Sequence, residues 1–378
     1  MLMESFEVEN FRSLKHLKLE KLARVNLLVG KNNSGKTSVL EGLFSITNIR
    51  NQYWVQNIES TRNLSADKSD FRHLFYGFDA TKSITLSSTY CGEIAAAEVP
   101  AATLSAVLSL VDRHSLLPRE LAYYERQPNT PRNPHSPDSL LVTIQTPEVN
   151  IPISFELRRS SKQEYTEIHA GNEESKTYIE QGPAFIAGPR NLTKFLNTRS
   201  NLYWLNDELE GLKINKEDNQ LLDVLRSLDK RIQRIELSPS GQIYLDLGQD
   251  FRTLLPLNLM GEGIQRLLSI VSAIASNAGG IVLIDELDNG LHYSALRVLW
   301  RGILRAAREY NVQVFATTHS AEALRHLTWV LDDEEQASYR NDVAAYTLIR
   351  ADDDTVRTYR HDYEQLEYAI EHGIEVRN

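Results

Sequence analysis

The chain has 378 residues, 42% of them hydrophobic and 24% charged, and a formal net charge of −10 at pH 7. That length can bury a sizeable core in one large domain or two lobes, and the acidic balance excludes an overall basic surface while leaving a local basic groove open. A single cysteine, Cys91, excludes an internal disulfide and a cysteine zinc site, and no apolar run approaches the ~20 residues that span a bilayer.

The first segment, Met1–Phe11, alternates acidic and apolar residues and does not read as a signal peptide. A cytoplasmic protein is expected. Ser5–Asn10 and Leu14–Glu20 both alternate apolar and polar residues, which predicts two antiparallel strands joined at Phe11-Arg12-Ser13. Val25–Val29 is a third strand. It runs into Gly30-Lys31-Asn32-Asn33-Ser34-Gly35-Lys36-Thr37, and Ser38–Phe44 then reads as a helix. Strand, glycine-rich loop, helix is the context of a phosphate-binding loop. Its two glycines let successive backbone N–H groups turn inward, and the free N–H groups of a helix N-terminus favour an anion. Lys36 can reach the outer phosphates, and Thr37 supplies a hydroxyl for a magnesium ion.

From about Asn48 to Pro183 the sequence changes character. Ser83–Tyr90, Leu140–Thr146, Ile151–Leu157 and Glu164–His169 read as strands, Ala101–Arg113 as a helix, and Gln127–Pro137 as an exposed proline-rich loop. Residues 202–231 read as helical, with apolar positions from Leu202 to Leu228. Arg234–Leu237 and Gln242–Leu247 form a hairpin. Gly261–Ser276 is an amphipathic helix carrying Ile264, Leu267, Leu268, Val271 and Ile274 on one face. Ile281–Ile284, after Gly279-Gly280, has the continuous apolar character of a strand buried on both faces. A helix over Ser294–Glu309 and a strand over Val312–Ala316 imply parallel strands with crossovers. Strands Val343–Ile349 and Thr355–Tyr359 and a helix Tyr363–His372, ended by Gly373, complete the reading.

Asp285 and Glu286 follow the buried strand directly, where ligands of open parallel sheets bind. Asp285 is the expected partner of Thr37 at a metal, and Glu286 the base or acceptor for an attacking water. Gly261-Glu262-Gly263 opens a helix, either as a second anion site or as a flexible turn. His319, in Thr317-Thr318-His319-Ser320, ends the next strand and can bond a γ-phosphate or hold the water-positioning carboxylate. Arg190, in Gly188-Pro189-Arg190, is a weaker phosphate-binding candidate.

These segments resemble the ABC-type ATPases of the chromosome-maintenance and DNA-repair branch, and within it the stand-alone AAA-family relatives of the OLD (overcoming lysogenisation defect) nucleases. The resemblance rests on Phe6–Ser13, the Gly30–Thr37 loop as Walker A, the Gly261–Gly263 helix start, Ile284-Asp285-Glu286 as Walker B, Asp288-Asn289-Gly290-Leu291-His292, and Thr318-His319-Ser320. It implies an α/β P-loop ATPase head with a mixed sheet, an antiparallel β subdomain and an α/β insertion. Residues 1–47 and 183–378 would form the ATPase core, and 48–182 the insertion.

The resemblance further implies ATP and Mg2+, with catalytic Lys36, Glu286 and His319. Nucleotide contacts come from Gly30 through Ser38 and from Arg12, with Gly261, Glu262 and Gly263 facing the nucleotide of a second subunit in a head-to-tail dimer. Thr37 and Asp285 hold the metal. Arg12 reads equally as a hairpin-turn arginine. The sequence departs from the usual signature Leu-Ser-Gly-Gly-Gln, having Leu259-Met260-Gly261-Glu262-Gly263, so the serine is absent; near Phe71–Phe75 no glutamine stands out.

Thr37 and Asp285 are about 250 positions apart, and nothing between them sustains heptads, so ATP does not drive long coiled-coil arms. Three functions compete. One is a magnesium-dependent ATPase, a homodimer or larger, that switches a separately encoded, nuclease-like effector, in phage defence or DNA-related work; nucleic acid is an open partner. A second is a nucleotide-binding scaffold with little turnover. The third, an OLD-type nuclease, would use Asp332–Glu335 or Asp352–Asp354, but roughly 60 residues after His319 are too few for another α/β domain. Asp352–Asp354 also sit where a solvated hairpin turn is expected.

Overall fold

The computed structural model describes residues 2–49, 51, 54–62, 71–91, 102–111, 139–146, 149–159, 164–170, 193–197 and 203–377. Strands β1 (Leu2–Phe11) and β2 (Leu14–Glu20) pair antiparallel, and β3 (Val25–Val29) leads through the glycine-rich loop into α1 (Lys36–Asn48). Helix α2 (Trp54–Thr61) and two short helical turns, Phe71–Leu74 and Tyr76–Phe78, precede β4 (Ile84–Cys91), β5 (Ala102–Val111), β6 (Ser139–Thr146), β7 (Val149–Arg159) and β8 (Glu164–Ala170). These strands form a seven-stranded sheet in the order β2-β1-β4-β5-β6-β7-β8, with every neighbour pairing antiparallel.

The second half begins with β9 (Thr193–Leu196), α3 (Tyr203–Ile214) and α4 (Asn219–Leu228). A three-stranded sheet of β10 (Arg234–Leu237), β11 (Ile243–Asp246) and β12 (Leu255–Pro256) follows. Then come α5 (Glu262–Ala275), β13 (Ile281–Ile284), α6 (Tyr293–Glu309), β14 (Gln313–Thr318), α7 (Ala321–Asp332), β15 (Val343–Arg350), β16 (Val356–His361) and α8 (Tyr363–Glu371). A six-stranded sheet, β16-β15-β3-β14-β13-β9, is parallel except for β16.

This second sheet is buried on both faces, which its continuous apolar strands require. Val25, Leu27, Val282, Ile284 and Val314 enter a core shared with α3–α8. Leu28, Leu283, Phe315, Tyr346 and Leu348 point the other way, into a core with α1 and the antiparallel sheet. The phosphate-loop helix is therefore sandwiched between the sheets, and the carboxyl ends of β3, β13 and β14 open on one edge.

Two readings of the sequence need correction. The helix expected over Ala101–Arg113 is replaced by a strand in its described part, because β5 occupies Ala102–Val111 and pairs with both β4 and β6. Leu104, Ala106, Leu108 and Leu110 satisfy a period of two as readily as a helical stripe, and cross-strand pairing selects the former. The helical run over 202–231 is divided at Asn215–Asp218. Lys216 takes φ +61 there and the Glu217 N–H bonds back to the Leu212 carbonyl at 2.8 Å, so the polar run ends one helix and starts the next. The proline-rich loop and Arg190 lie outside the described residues. Among the described residues no helix is long and apolar enough to cross a membrane.

Candidate functional site

The loop after β3 is shaped by two glycines. At Gly30 (φ +156) a Cβ would stand 2.7 Å from the Leu348 carbonyl oxygen, and at Gly35 (φ +99) it would meet Leu14 at 2.8 Å. Backbone bars a side chain at Gly30, and the left-handed φ strains one at Gly35, so glycine at both lets the chain curl against its own sheet. Lys31, Asn32 and Asn33 are exposed. Ser34 is buried, its Oγ lacking a hydrogen-bond partner among the described residues. Lys36 folds back and donates from Nζ to the Gly30 and Lys31 carbonyls, both at 2.8 Å. Burial lowers its pKa, against the opposing pull of Asp285 and Glu286. Ser38 Oγ lies 2.8 Å from Ser13 Oγ, tying the start of α1 to the β1–β2 turn.

Across 248 positions of sequence, Thr37 Oγ1 donates to the Asp285 carboxylate, 3.2 and 3.1 Å from its two oxygens. The same carboxylate accepts a 2.6 Å bond from Thr317 Oγ1 at the end of β14, and that hydroxyl accepts from the Glu286 N–H at 2.8 Å. Glu286 is exposed and holds φ +48, a conformation few non-glycine residues adopt. Asn289 Nδ2 lies 3.5 Å from its Oε2.

Arg266, on α5, donates to the carbonyls of Asp285 (2.9 Å), Glu286 (3.1 Å) and Asn197 (3.3 Å). Burial lowers its pKa, while Asp285, Glu286 and Asp288 oppose that shift. A fixed charge thus braces the backbone beneath the two acids. Thr317 and Arg266 were missed in the sequence. The paired threonines ending an apolar strand were a signal for the first; nothing local marked the second.

His319 is exposed and follows Thr318, whose hydroxyl donates to Asp288. Arg12 occupies the β1–β2 turn at φ +52, and its guanidinium turns inward to the fully buried Glu41 of α1, 3.4 Å away. Arg12 Nη1 also donates to the His73 carbonyl at 3.2 Å, and burial lowers its pKa. Glu41 accepts a fork from Arg62, at 2.5 and 3.0 Å. Gly261, Glu262 and Gly263 open α5 on the surface. Open space surrounds a Cβ at Gly261, and Gly290 and Leu291 are the neighbours of Glu262 and Gly263. The 71–75 segment supplies the His73 carbonyl and buries Phe71, Leu74 and Phe75, while the His73 ring pairs with Glu59 at 2.7 Å.

The site suits a magnesium triphosphate chemically. Thr37 and Asp285 offer hard oxygen ligands of the kind such a cation takes, and Ser34 Oγ, without a hydrogen-bond partner among the described residues, and the Lys36 ammonium line the adjoining loop. A nucleotide-binding cradle opposite an acidic strand end defines a P-loop nucleotide-hydrolase class.

Comparisons place the chain more closely. Residues 1–182 match the family model described as "AAA ATPase domain", and residues 150–325 match "AAA domain, putative AbiEii toxin, Type IV TA system". Over 407 aligned residues the chain is 24% identical to an ATP/GTP phosphatase of Helicobacter pylori, covering 98% of each. A stretch of 47 residues is 45% identical to the DNA replication and repair protein RecF of Clostridioides difficile, covering 12% of this chain and 13% of that one. Among solved structures, a SmcHead bound to the C-winged helix domain of ScpA aligns with a TM-score of 0.47 at 10% identity, covering 98% of this chain and 100% of that one. Both halves of the chain thus match AAA-family ATPase domain models, and these matches, with the phosphatase relative, support ATPase activity.

Proposed function

We propose that this protein is a magnesium-dependent ATPase whose two-subunit, head-to-tail closure around ATP switches a separately encoded effector. The observation that carries the proposal is the meeting of Thr37 and Asp285, which joins the phosphate loop to the acidic strand end. Thr37 and Asp285 hold the metal, with Thr317 fixing the carboxylate. Magnesium held there would supply neutralisation of phosphate charge during transfer. Backbone N–H groups of Gly30–Ser38 and the Lys36 ammonium bind the phosphates. Lys36 exchanges its bonds to the loop carbonyls for phosphate oxygens, a short move at one end of a flexible side chain. Glu286 orients the attacking water and accepts its proton, and His319 contacts the γ-phosphate end.

Closure is supported by the exposed start of α5: Gly261 has open space, and the neighbouring Leu259 is 70% exposed. Backbone N–H groups there can serve a second subunit's nucleotide without the missing serine. That missing serine also favours a second reading, a scaffold with little turnover. A defence role draws on the toxin–antitoxin name of one family match, and an effector partner on the resemblance to stand-alone ATPases. The nuclease alternative loses support at Asp353, whose carboxylate is taken up by the Thr355 N–H (3.1 Å) and hydroxyl (2.6 Å) in the β15–β16 turn.

Calorimetry tests the site directly: Lys36→Ala should abolish ATP binding, and unchanged affinity would remove this loop from the account. Glu286→Gln should accumulate an ATP-bound dimer on sizing, with turnover near background. A monomer at saturating ATP counts against the sandwich, and measurable wild-type turnover counts against the scaffold.

A further inference from the structure

The segment after α8 returns to the nucleotide edge. Gly373 (φ +66) ends the helix, and Val376 is buried with its carbonyl accepting a 2.6 Å bond from Thr347 Oγ1. Thr347 lies on β15 in register with Val29, the residue before Gly30. The segment is therefore anchored beside the phosphate-loop strand. From that anchor Arg377 reaches across, and its Nη1 donates to the His319 carbonyl at 2.8 Å. Glu375 grips the other side of the guanidinium, taking Nε and Nη2 at 2.6 Å each. Arg377 holds its Glu375 partner well below the usual carboxylate range, with Lys31 of the phosphate loop adding to the pull.

The peptide joining His319 to Ser320 is pinned at both ends. Its carbonyl is held by Arg377, and its N–H donates to Thr318 Oγ1 at 3.0 Å. Thr318 is itself bonded to Asp288, and Ser320 caps α7 by accepting from the Ala323 N–H. The orientation of that peptide plane sets where the exposed imidazole points. Thr318 and Ser320 belong to the loop, whereas Arg377 is brought to it from 58 residues away.

We infer that Arg377, clamped by Glu375, is a positioning residue that aims His319 at the phosphate end of bound ATP. The inference rests on the proposed role of His319. A charged donor forked on one face by a carboxylate has few alternative directions, so it fixes a carbonyl more tightly than a neutral side chain does. The same segment is tied to the phosphate-loop neighbour through Thr347, so it sets the spacing between loop and histidine as a single strap.

The test is steady-state ATPase kinetics with magnesium on His319→Ala, Arg377→Ala, Arg377→Lys and the double variant, with folding checked by urea unfolding. His319→Ala should lower kcat about 100-fold. Arg377→Ala should lower kcat about tenfold with KM within about twofold and the unfolding midpoint little changed, and Arg377→Lys, whose single ammonium cannot be forked by Glu375 while reaching the His319 carbonyl, should recover only a minor part of the loss. The double variant should match His319→Ala alone, because Arg377 acts only through the histidine. If His319→Ala is impaired while Arg377→Ala keeps kcat within about twofold, or if the two losses multiply in the double variant, the positioning role is overturned and the histidine's role stands. A His319→Ala enzyme with normal kcat overturns both.

Discussion

Thr317→Val is the sharpest perturbation of the acidic end of the site. Valine keeps the branched shape that β14 favours and exchanges the hydroxyl for a methyl that can neither donate nor accept. That hydroxyl is fully buried, donates at 2.6 Å to the Asp285 carboxylate and accepts the Glu286 N–H at 2.8 Å. Losing a hydrogen bond to a charged group costs about 1.5–3 kcal/mol, and leaving a backbone N–H without a partner about 1–3 kcal/mol. The losses share one atom and do not add fully, so the expected destabilisation is about 2–4 kcal/mol. Freed of its second anchor, Asp285 retains Thr37 alone, and Glu286 loses the contact that fixes its φ of +48. Misplacement of both acids should lower kcat about 10- to 100-fold. Urea unfolding and ATPase kinetics on Thr317→Val and Thr317→Ser measure the two effects, with serine restoring most of each. A valine variant within about 0.5 kcal/mol of wild type and with unchanged kcat would refute the claim that this hydroxyl organises the site.

Two further tests probe other parts of the structure. Gly30→Ala places a methyl 2.7 Å from the Leu348 carbonyl oxygen, so it should cost about 1–3 kcal/mol and remove ATP binding by calorimetry; full affinity would mean the loop tolerates a side chain. Tyr346 is buried, donates to the Glu20 and Lys21 carbonyls at 2.9 Å, and has its pKa pushed up by burial to about 12. Between its ordinary value near 10 and that raised value the unfolded chain binds fewer protons, so stability is full below about pH 10 and is lost as pH rises towards 12, by up to roughly 2–3 kcal/mol. Tyr346→Phe should flatten part of that alkaline decline in urea midpoints at pH 9 and pH 11. An identical slope would place the alkaline titration elsewhere, for instance at Tyr310, also raised to about 12.

Local rules carried the strands and the phosphate loop a long way. Alternation marks β1 and β2 because one face of each is buried, and the unbroken apolar run of β13 and the largely apolar β3, interrupted only by Asn26, mark strands covered on both sides. The loop was legible because its glycines, lysine and threonine are contiguous. β5 was not, since an alanine- and leucine-rich stretch fits two periods and only its neighbours β4 and β6 choose between them. β9 and the two-residue β12 were too short to announce themselves, and both exist because a partner strand supplies their hydrogen bonds.

Residue identity and spacing thus determined the phosphate loop, the acidic strand tip and the succession of most elements, because those depend on contacts within a few positions. Tertiary structure alone decided which distant side chains hold the acids in place. Thr317, Arg266 and Arg377 reach their targets across 32, 19 and 58 positions, and Arg12 faces a buried glutamate on α1. A hydrogen bond between remote residues leaves no periodicity in the chain; it appears only when the sheets bring the carboxyl ends of their strands to one edge.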